Sequence, residues 1–160
     1  QRHDQFQDPR AYLMEKENMD TKKANNYINK VSGMTGISGV SSDMRDIWKA
    51  AEDGNKKAIL AMNMYIYRVK KYIGAYAAGM GGVDLIVFTG GIGENDYHVR
   101  EGVCKDLGFL GVDFDSKKNE GLKSKDEVLT KPGSKVIVTT TCTNEELVIA
   151  MDTMDIIRSK

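Results

Sequence analysis

Val83 to Asn95, VDLIVFTGGIGEN, is the stretch on which the fold of this chain is read. Leu85, Ile86, Val87 and Phe88 form an unbroken apolar run of strand length, as in strands buried inside a sheet. The run passes directly into Thr89-Gly90-Gly91-Ile92-Gly93-Glu94-Asn95, and a helical pattern follows. Glycine lacks a Cβ, so backbone at such a strand end can come close to a ligand. The start of the next helix offers N–H groups and a partial positive charge. α/β proteins hold phosphates and nucleotides in this way, although a plain tight strand-to-helix turn uses glycine just as well. Glu94 refines the expectation: a carboxylate beside a triphosphate is repelled unless a metal or a ribose hydroxyl intervenes. The stretch is therefore expected to touch a nucleoside at least as much as phosphates. It is neither a dinucleotide fingerprint, because residue 96 is Asp, nor a Walker loop, because no Gly-Lys-Ser/Thr follows.

Upstream, Ile59, Met62, Ile66, Val69, Ile73, Ala77 and Met80 recur at spacings of three and four and predict a long helix. Gly79, Gly81 and Gly82 end it. Before it, Ser42 or Asp43 caps a helix running to about Glu52, and Gly54 interrupts. Residues 32–42, SGMTGISGVSS, are small and glycine-rich. The interspersed Met34, Ile37 and Val40 predict a packed loop or a short irregular strand. Asp8-Pro9 reads as N-cap and first position of a helix to about Asn18. Asp20 or Thr21 caps a second helix with Ala24, Tyr27, Ile28 and Val31 on one face.

Downstream, a helix is expected from about Asn95 to Leu107, with Val99, Val103 and Leu107 inward and Gly108 as its stop. Residues 115–126 are highly charged and read as an exposed loop or helix turn. Val128 to Thr130 reads as a short strand, Lys131-Pro132-Gly133-Ser134 as a turn, and Val136 to Thr141 as a strand of β-branched residues. A last helix runs from near Asn144 to about Arg158. Few strands among many helices predict an α/β fold with an incomplete sheet and helices packed on it.

The chain has 160 residues, 41% hydrophobic and 29% charged, with 23 basic and 23 acidic side chains. That composition is ordinary for a soluble globular domain, or for one lobe of a larger enzyme. No basic excess or stripe points to nucleic acid, and no apolar run reaches membrane length. The polar start QRHDQFQDPR is no signal peptide. Its first residue, Gln1, suggests a piece of something longer. Cys104 and Cys142 are expected to be reduced cytoplasmic thiols.

Two further clusters carry possible chemistry. In Thr143-Asn144-Glu145-Glu146, Asn144 is a natural N-cap, and acids in a first helical turn complement the macrodipole by about 0.3–1 kcal/mol each. A strand-end carboxylate can also hold magnesium through water. Ser41-Ser42-Asp43-Met44-Arg45-Asp46 reads as capping plus an i to i+3 surface ion pair, or as a functional loop. His98 reads as an exposed helical residue and His3 as a terminal one. No Ser/His/Asp set, Cys/His set or zinc spacing occurs. Met62, Met64, Met151 and Met154 read as core or interface filler.

Taken in order, the glycine-rich segment with SSDMRD, then VFTGGIGEN, then TNEELVIA, resembles the C-terminal part of the acetate kinase family. The matching segments are Gly36 to Asp46, Ile86 to Arg100 and Thr143 to Ala150, and Leu13 to Asn18 is similar as well. Propionate-specific relatives share these motifs. The resemblance implies a ribonuclease H-like lobe of the actin-like ATPase superfamily, with an incomplete mixed sheet and packed helices. Residues 1–142 would form the nucleotide-binding lobe, and residues 143–160 a C-terminal helix that packs toward the N-terminal lobe.

It also implies that Asp43, Met44 and Arg45 contact the adenosine side of ATP or ADP. Gly91, Ile92, Gly93, Glu94 and Asn95 would form the other wall of that site, and Glu145 would bind Mg²⁺. The reaction implied is phosphoryl transfer between ATP and acetate, giving acetyl phosphate and ADP. The family's transition-state histidine, arginines and catalytic aspartate lie in segments before this one. No catalytic residue is therefore expected here, and the chain alone should be nearly inactive. Arg2 lies near where an active-site arginine falls, but its flanks do not match and no role is carried over. The helix from Leu147 onward would expose or repack its apolar face, including Met151 and Met154. Alternatives are a propionate kinase, another acyl or sugar kinase, or a non-catalytic actin-like nucleotide-binding or dimerisation module. For the last, Tyr65, Tyr67, Tyr72 and Tyr76 would widen the long helix into a homodimer face.

Overall fold

The computed structural model describes residues 9–159; Arg2, His3 and the capping role of Asp8 lie outside them. The described residues fall into two compact units, one up to Tyr65 and one from Ile66.

The first unit is helical. Helix α1 (Pro9–Lys16) is followed by α2 (Thr21–Asn26), whose N-cap Asp20 accepts a 2.7 Å bond from Lys23 N–H. A π-helical turn (Tyr27–Val31) leads into α3 (Gly33–Ser38). Residues 33–38 are thus helical where a loop or irregular strand was expected. Met34 and Ile37 are one turn apart and both half-buried. A Cβ on Gly36 would sit 2.9 Å from the Val31 carbonyl oxygen, so only glycine lets the two turns close. Helix α4 (Met44–Glu52) begins at its N-cap Asp43, and α5 (Lys56–Met80) begins where Asn55 Oδ1 accepts from the N–H groups of Lys57 and Ala58. Ala24, Ile47, Ala58, Ala61 and Met62 are buried. Tyr27, Ile28 and Val31, expected on a covered face with Ala24, are exposed instead, because the π-turn rotates them out of the α2 register.

The second unit is built on a sheet. Strand β1 (Leu85–Phe88) pairs in parallel with β3 (Ile137–Thr140), from Leu85 opposite Ile137 to Phe88 opposite Thr140. Strand β2 (Glu127–Val128) lies antiparallel on the other side of β3, giving the order β1-β3-β2 among the described residues. The sheet is mixed and short. Ile86, Phe88, Val138 and Thr140 are buried, while Leu85 and Val87 are about half exposed. A continuous apolar run thus turns out to be covered on one face only.

Helix α6 (Gly90–Asn95) follows β1 at once, and α7 (Tyr97–Cys104) follows α6. The helix expected from about Asn95 to Leu107 runs from Tyr97 to Cys104, with Asp96 as its N-cap accepting from Val99 N–H at 3.0 Å, and the glycine turn before it is itself a short helix. Such a side chain competes with the helical backbone and starts a new helix. Val99, Val103 and Leu107 are nevertheless buried as expected. Gly102 brings α7 close to α5: a Cβ there would lie 2.7 Å from Ile66 Cδ1. A 3₁₀ turn (Gly108–Leu110), the short helix α8 (Ser116–Asn119) and finally α9 (Glu145–Arg158) complete the unit. The apolar residues Leu147, Val148, Ile149, Met151, Met154, Ile156 and Ile157 of α9 are all exposed.

Residues 115–126 are not merely a solvated segment. Asn119 is buried, and so is Arg100 of α7. The Arg100 guanidinium donates to Asn119 Oδ1 (2.8 Å), to the Gly93 carbonyl (2.8 Å) and to the Leu122 carbonyl (2.7 Å). Asn119 in turn donates to the Tyr97 carbonyl and to Glu101 Oε2. Arg100 therefore pins α6, α7 and the segment after α8 together. Burial works against its charge and pulls its pKa below the usual arginine value. The contacts that hold it must offset that cost.

Removing the guanidinium leaves two part-buried carbonyls and the buried Asn119 Oδ1 without this donor, at up to about 1–3 kcal/mol each. Arg100→Met is expected to destabilise the chain by about 3 kcal/mol or more in urea denaturation. Arg100→Lys should lose less, since an ammonium still donates but cannot span three acceptors in one plane.

Candidate functional site

Because β1 and β3 are parallel and adjacent, both chains leave the sheet at its carboxyl edge, the usual place for ligands in open α/β sheets. Thr141 N–H still donates to the Phe88 carbonyl (2.9 Å), so the two exits begin side by side. One exit is Thr89–Asn95; the other is Thr141–Asn144.

The three glycines have different tasks. Gly90 has φ +68°, the left-handed region that glycine tolerates best. A Cβ on Gly93 would sit 3.0 Å from the Phe88 carbonyl carbon, so this glycine seats α6 on the end of β1. Gly91 is exposed and a Cβ there would meet nothing within 4 Å. Of the three, Gly91 presents open backbone. Ile92 is half-buried beside it.

The polar side chains of this turn face protein. Glu94 is buried, and its Oε1 accepts from Thr143 N–H (2.8 Å), from Thr143 Oγ1 (2.9 Å) and from Gly90 N–H (2.9 Å). The Thr143 N–H, then the Thr143 hydroxyl, hold its carboxyl below the usual glutamate range. The N–H of Gly90 and the hydroxyl of Thr89 add to this, against the opposing effect of burial. Asn95 Nδ2 donates to the Gly91 carbonyl (3.0 Å), and its Oδ1 accepts from Ser124 Oγ (2.7 Å).

At the second exit, Asn144 Oδ1 accepts from Leu147 N–H (3.0 Å), the N-cap expected of it. Glu145 and Glu146 stand in the first turn of α9 and are exposed. Among the described residues no group of three or more His, Cys, Asp and Glu side chains forms a metal cage. An exposed carboxylate in the first turn of α9 nonetheless fits Mg²⁺, which keeps several waters and takes one or two carboxylates together with phosphate oxygens. Glu145 is the residue that would hold it.

In the other unit, Asp43 caps α4 by accepting from Arg45 N–H (2.9 Å), and the Arg45 Nε and Nη2 donate to the same carboxylate. The ion pair spans two residues rather than three, because the cap turns the Asp43 side chain toward the first turn. Met44 is half-buried and Arg45 exposed. His98 is half-buried with its ring 3.9 Å from that of Tyr97, not simply exposed. Both cysteines are free thiols, Cys104 buried and Cys142 exposed.

Sequence reasoning passed over Arg100, Asn119, Ser124 and Thr143 as holders of the site. The only sequence signal was a charged residue, Arg100, on the same helical face as Val103 and Cys104.

Comparison with known proteins follows the same motifs. The model of the acetokinase family matches residues 8–151. An acetate kinase from Porphyromonas gingivalis is 56% identical over 148 residues, covering 92% of this chain and 37% of that protein. The crystal structure of Porphyromonas gingivalis acetate kinase superposes with a TM-score of 0.85 at 55% identity, covering 93% of this chain and 37% of the other. That of a propionate kinase from Francisella tularensis gives 0.75 at 34% identity, covering 88% and 35%. The chain thus spans little more than a third of the length of the relatives it matches. Its fold is the mixed α/β, actin-like ATPase fold of these kinases, with a small incomplete sheet and packed helices.

Gly91→Ala should leave thermal stability nearly unchanged, whereas Gly93→Ala should lower it by about 1–3 kcal/mol through contact with fixed strand backbone. Thermal melts of the two variants check the contrast. Arg45 holds the Asp43 carboxyl down to about 2, from an ordinary 3.8. A lowered carboxyl stabilises the fold above its unfolded pKa and ceases to do so as pH falls through the folded one. A ¹³C NMR titration should find that value, and Arg45→Gln should raise it part-way toward 3.8, since the backbone N–H at 45 remains.

Proposed function

This chain belongs to the acetokinase family, and on that premise we propose that it supplies the nucleotide- and metal-binding part of an acetate kinase. The reaction is transfer of the γ-phosphoryl group of ATP to an acetate oxygen, giving acetyl phosphate and ADP. The observation that carries this reading is the pair of turns leaving adjacent parallel strands, bonded to each other through Glu94 and Thr143. The turn of Gly91, Ile92, Gly93, Glu94 and Asn95 forms the nucleotide side of that edge, with the Glu94 and Asn95 side chains turned back to hold it and Gly91 presenting open backbone. The exposed backbone at Gly91 is where a ribose or base can approach without a side chain in the way. Asp43, Met44 and Arg45, at the capped start of α4, contribute adenosine contacts from their own unit.

Glu145 would hold Mg²⁺, which would supply neutralisation of phosphate charge, as in transfers of this kind. This chain's residues bind and orient, while the acid and the stabilising cations come from elsewhere in the enzyme. Identity of 56% to an acetate kinase against 34% to a propionate kinase favours acetate as acceptor. The helix in residues 143–160 packs toward the remaining lobe, in keeping with its exposed Met151 and Met154. A cytoplasmic location suits ATP as cosubstrate and the two free thiols. Among the described residues no helix is long and apolar enough to cross a membrane.

Tyr67, Tyr72 and Tyr76 of α5 are exposed, with the last two rings stacked, and this favours a homodimer face on that helix. Light scattering should return twice the chain mass.

Calorimetry on this chain should detect MgADP, and Gly91→Val should abolish the heat. Acetyl phosphate formation, trapped as the hydroxamate, should be absent with this chain alone. Robust turnover by the 160-residue chain would overturn the assignment of the chemistry to other segments.

A further inference from the structure

Glu94 lies in the turn expected to touch a nucleotide, yet its carboxylate points at the other turn. One oxygen takes three donors: two from Thr143, beyond β3, and one from Gly90, at the start of α6. Thr143 is two residues before Glu145 and adjoins the Asn144 cap that starts α9. Glu94 is among the buried polar residues of the chain, while the residues from Thr141 through α9 are exposed. Few contacts other than this carboxylate anchor the second turn to the sheet edge. Cys142 N–H to Asp126 Oδ1 (2.7 Å) and Thr141 N–H to the Phe88 carbonyl (2.9 Å) act one and two residues earlier. The carboxylate also occupies the Gly90 N–H, so the first N–H of α6 is already spoken for.

We infer that Glu94 is a positioning residue, which serves the site by fastening the Thr143–Glu145 turn to α6 and thereby setting where the metal-binding carboxylate stands. It does so without touching nucleotide. This rests on the proposed role of Glu145. Hydrogen bonds to an ionised acceptor are the strong ones, and a loop held at one point loses its register when that point is cut.

The test is a cycle of Glu94→Ala, Thr143→Val and the double variant, with Thr143→Ser as the conservative control. Two readouts are used: amide hydrogen exchange at Gly90 and Thr143, and affinity for ADP with and without Mg²⁺. Glu94→Ala should speed exchange of the residue-143 amide about tenfold or more, and Thr143→Val, which keeps that N–H and loses only the hydroxyl, by a smaller factor. Each should also weaken MgADP binding in the same order and leave metal-free ADP unchanged. The double variant should be no worse than the poorer single one, and Thr143→Ser should behave as wild type. If Glu94→Ala weakens metal-free ADP while Thr143→Val does not, Glu94 is a direct nucleotide contact and the inference is overturned. Additive losses, or unaltered exchange at Thr143 in Glu94→Ala, overturn it too. A wild-type chain that binds no MgADP sinks the nucleotide reading and, with it, the positioning role. The exchange cycle would then still report separately whether the Glu94–Thr143 fastening exists.

Discussion

Leu85 to Phe88 lie in register against Ile137 to Thr140, and because the two strands are parallel their chains leave the sheet at one edge. An antiparallel pair would have sent the glycine turn and the TNEE turn to opposite ends. Parallel neighbours need a long connection, and residues 89–136 are that connection. They fold into α6, α7, α8 and the edge strand β2, while the sheet face bearing Ile86, Phe88 and Val138 is the buried one. The proposed site is thus a consequence of strand direction. Residues 49 apart in sequence meet there at hydrogen-bond distance.

The crossover is held by polar contacts as much as by its apolar core. Arg100 reaches the Gly93 carbonyl behind the glycine turn, and Ser124 reaches Asn95 at its far end. Ser124 itself has φ +46°, a conformation that costs a non-glycine residue about 1–3 kcal/mol. A charged segment that looks like solvated loop is therefore the bed on which α6 rests. The turn is preorganised from behind, which leaves exposed Gly91 free of structural duty. Binding sites gain from such support because a loop already in place costs less to order around a ligand.

Exposure is concentrated on α9, where seven large apolar side chains face outward, and on the tyrosines of α5. Surfaces of that kind are uncommon on finished monomers. They accord with a chain that covers 37% of the length of a relative 56% identical to it over 148 residues.

Local physics is legible along the chain. The caps Asp20, Asp43 and Asn144, the long stripe of α5 and its glycine stop, and the strands at 85–88 and 137–140 all follow from side chains acting within a few residues of themselves. The glycine turn could be located in the same way, and its family recognised. Its division of labour could not. Whether Gly90, Gly91 or Gly93 meets open space or the Phe88 backbone depends on how α6 sits on the strand end. That Glu94 turns toward Thr143, and that Arg100 is buried against Asn119, depends on contacts across 49 and 19 residues. Chain-local periodicity carries no information about such partners. Residues 90–95 and 33–38, expected as loop, are short helices for a related reason. Close glycine contacts at Gly93 and Gly36 outweigh the pattern of a short window, and only packing reveals them.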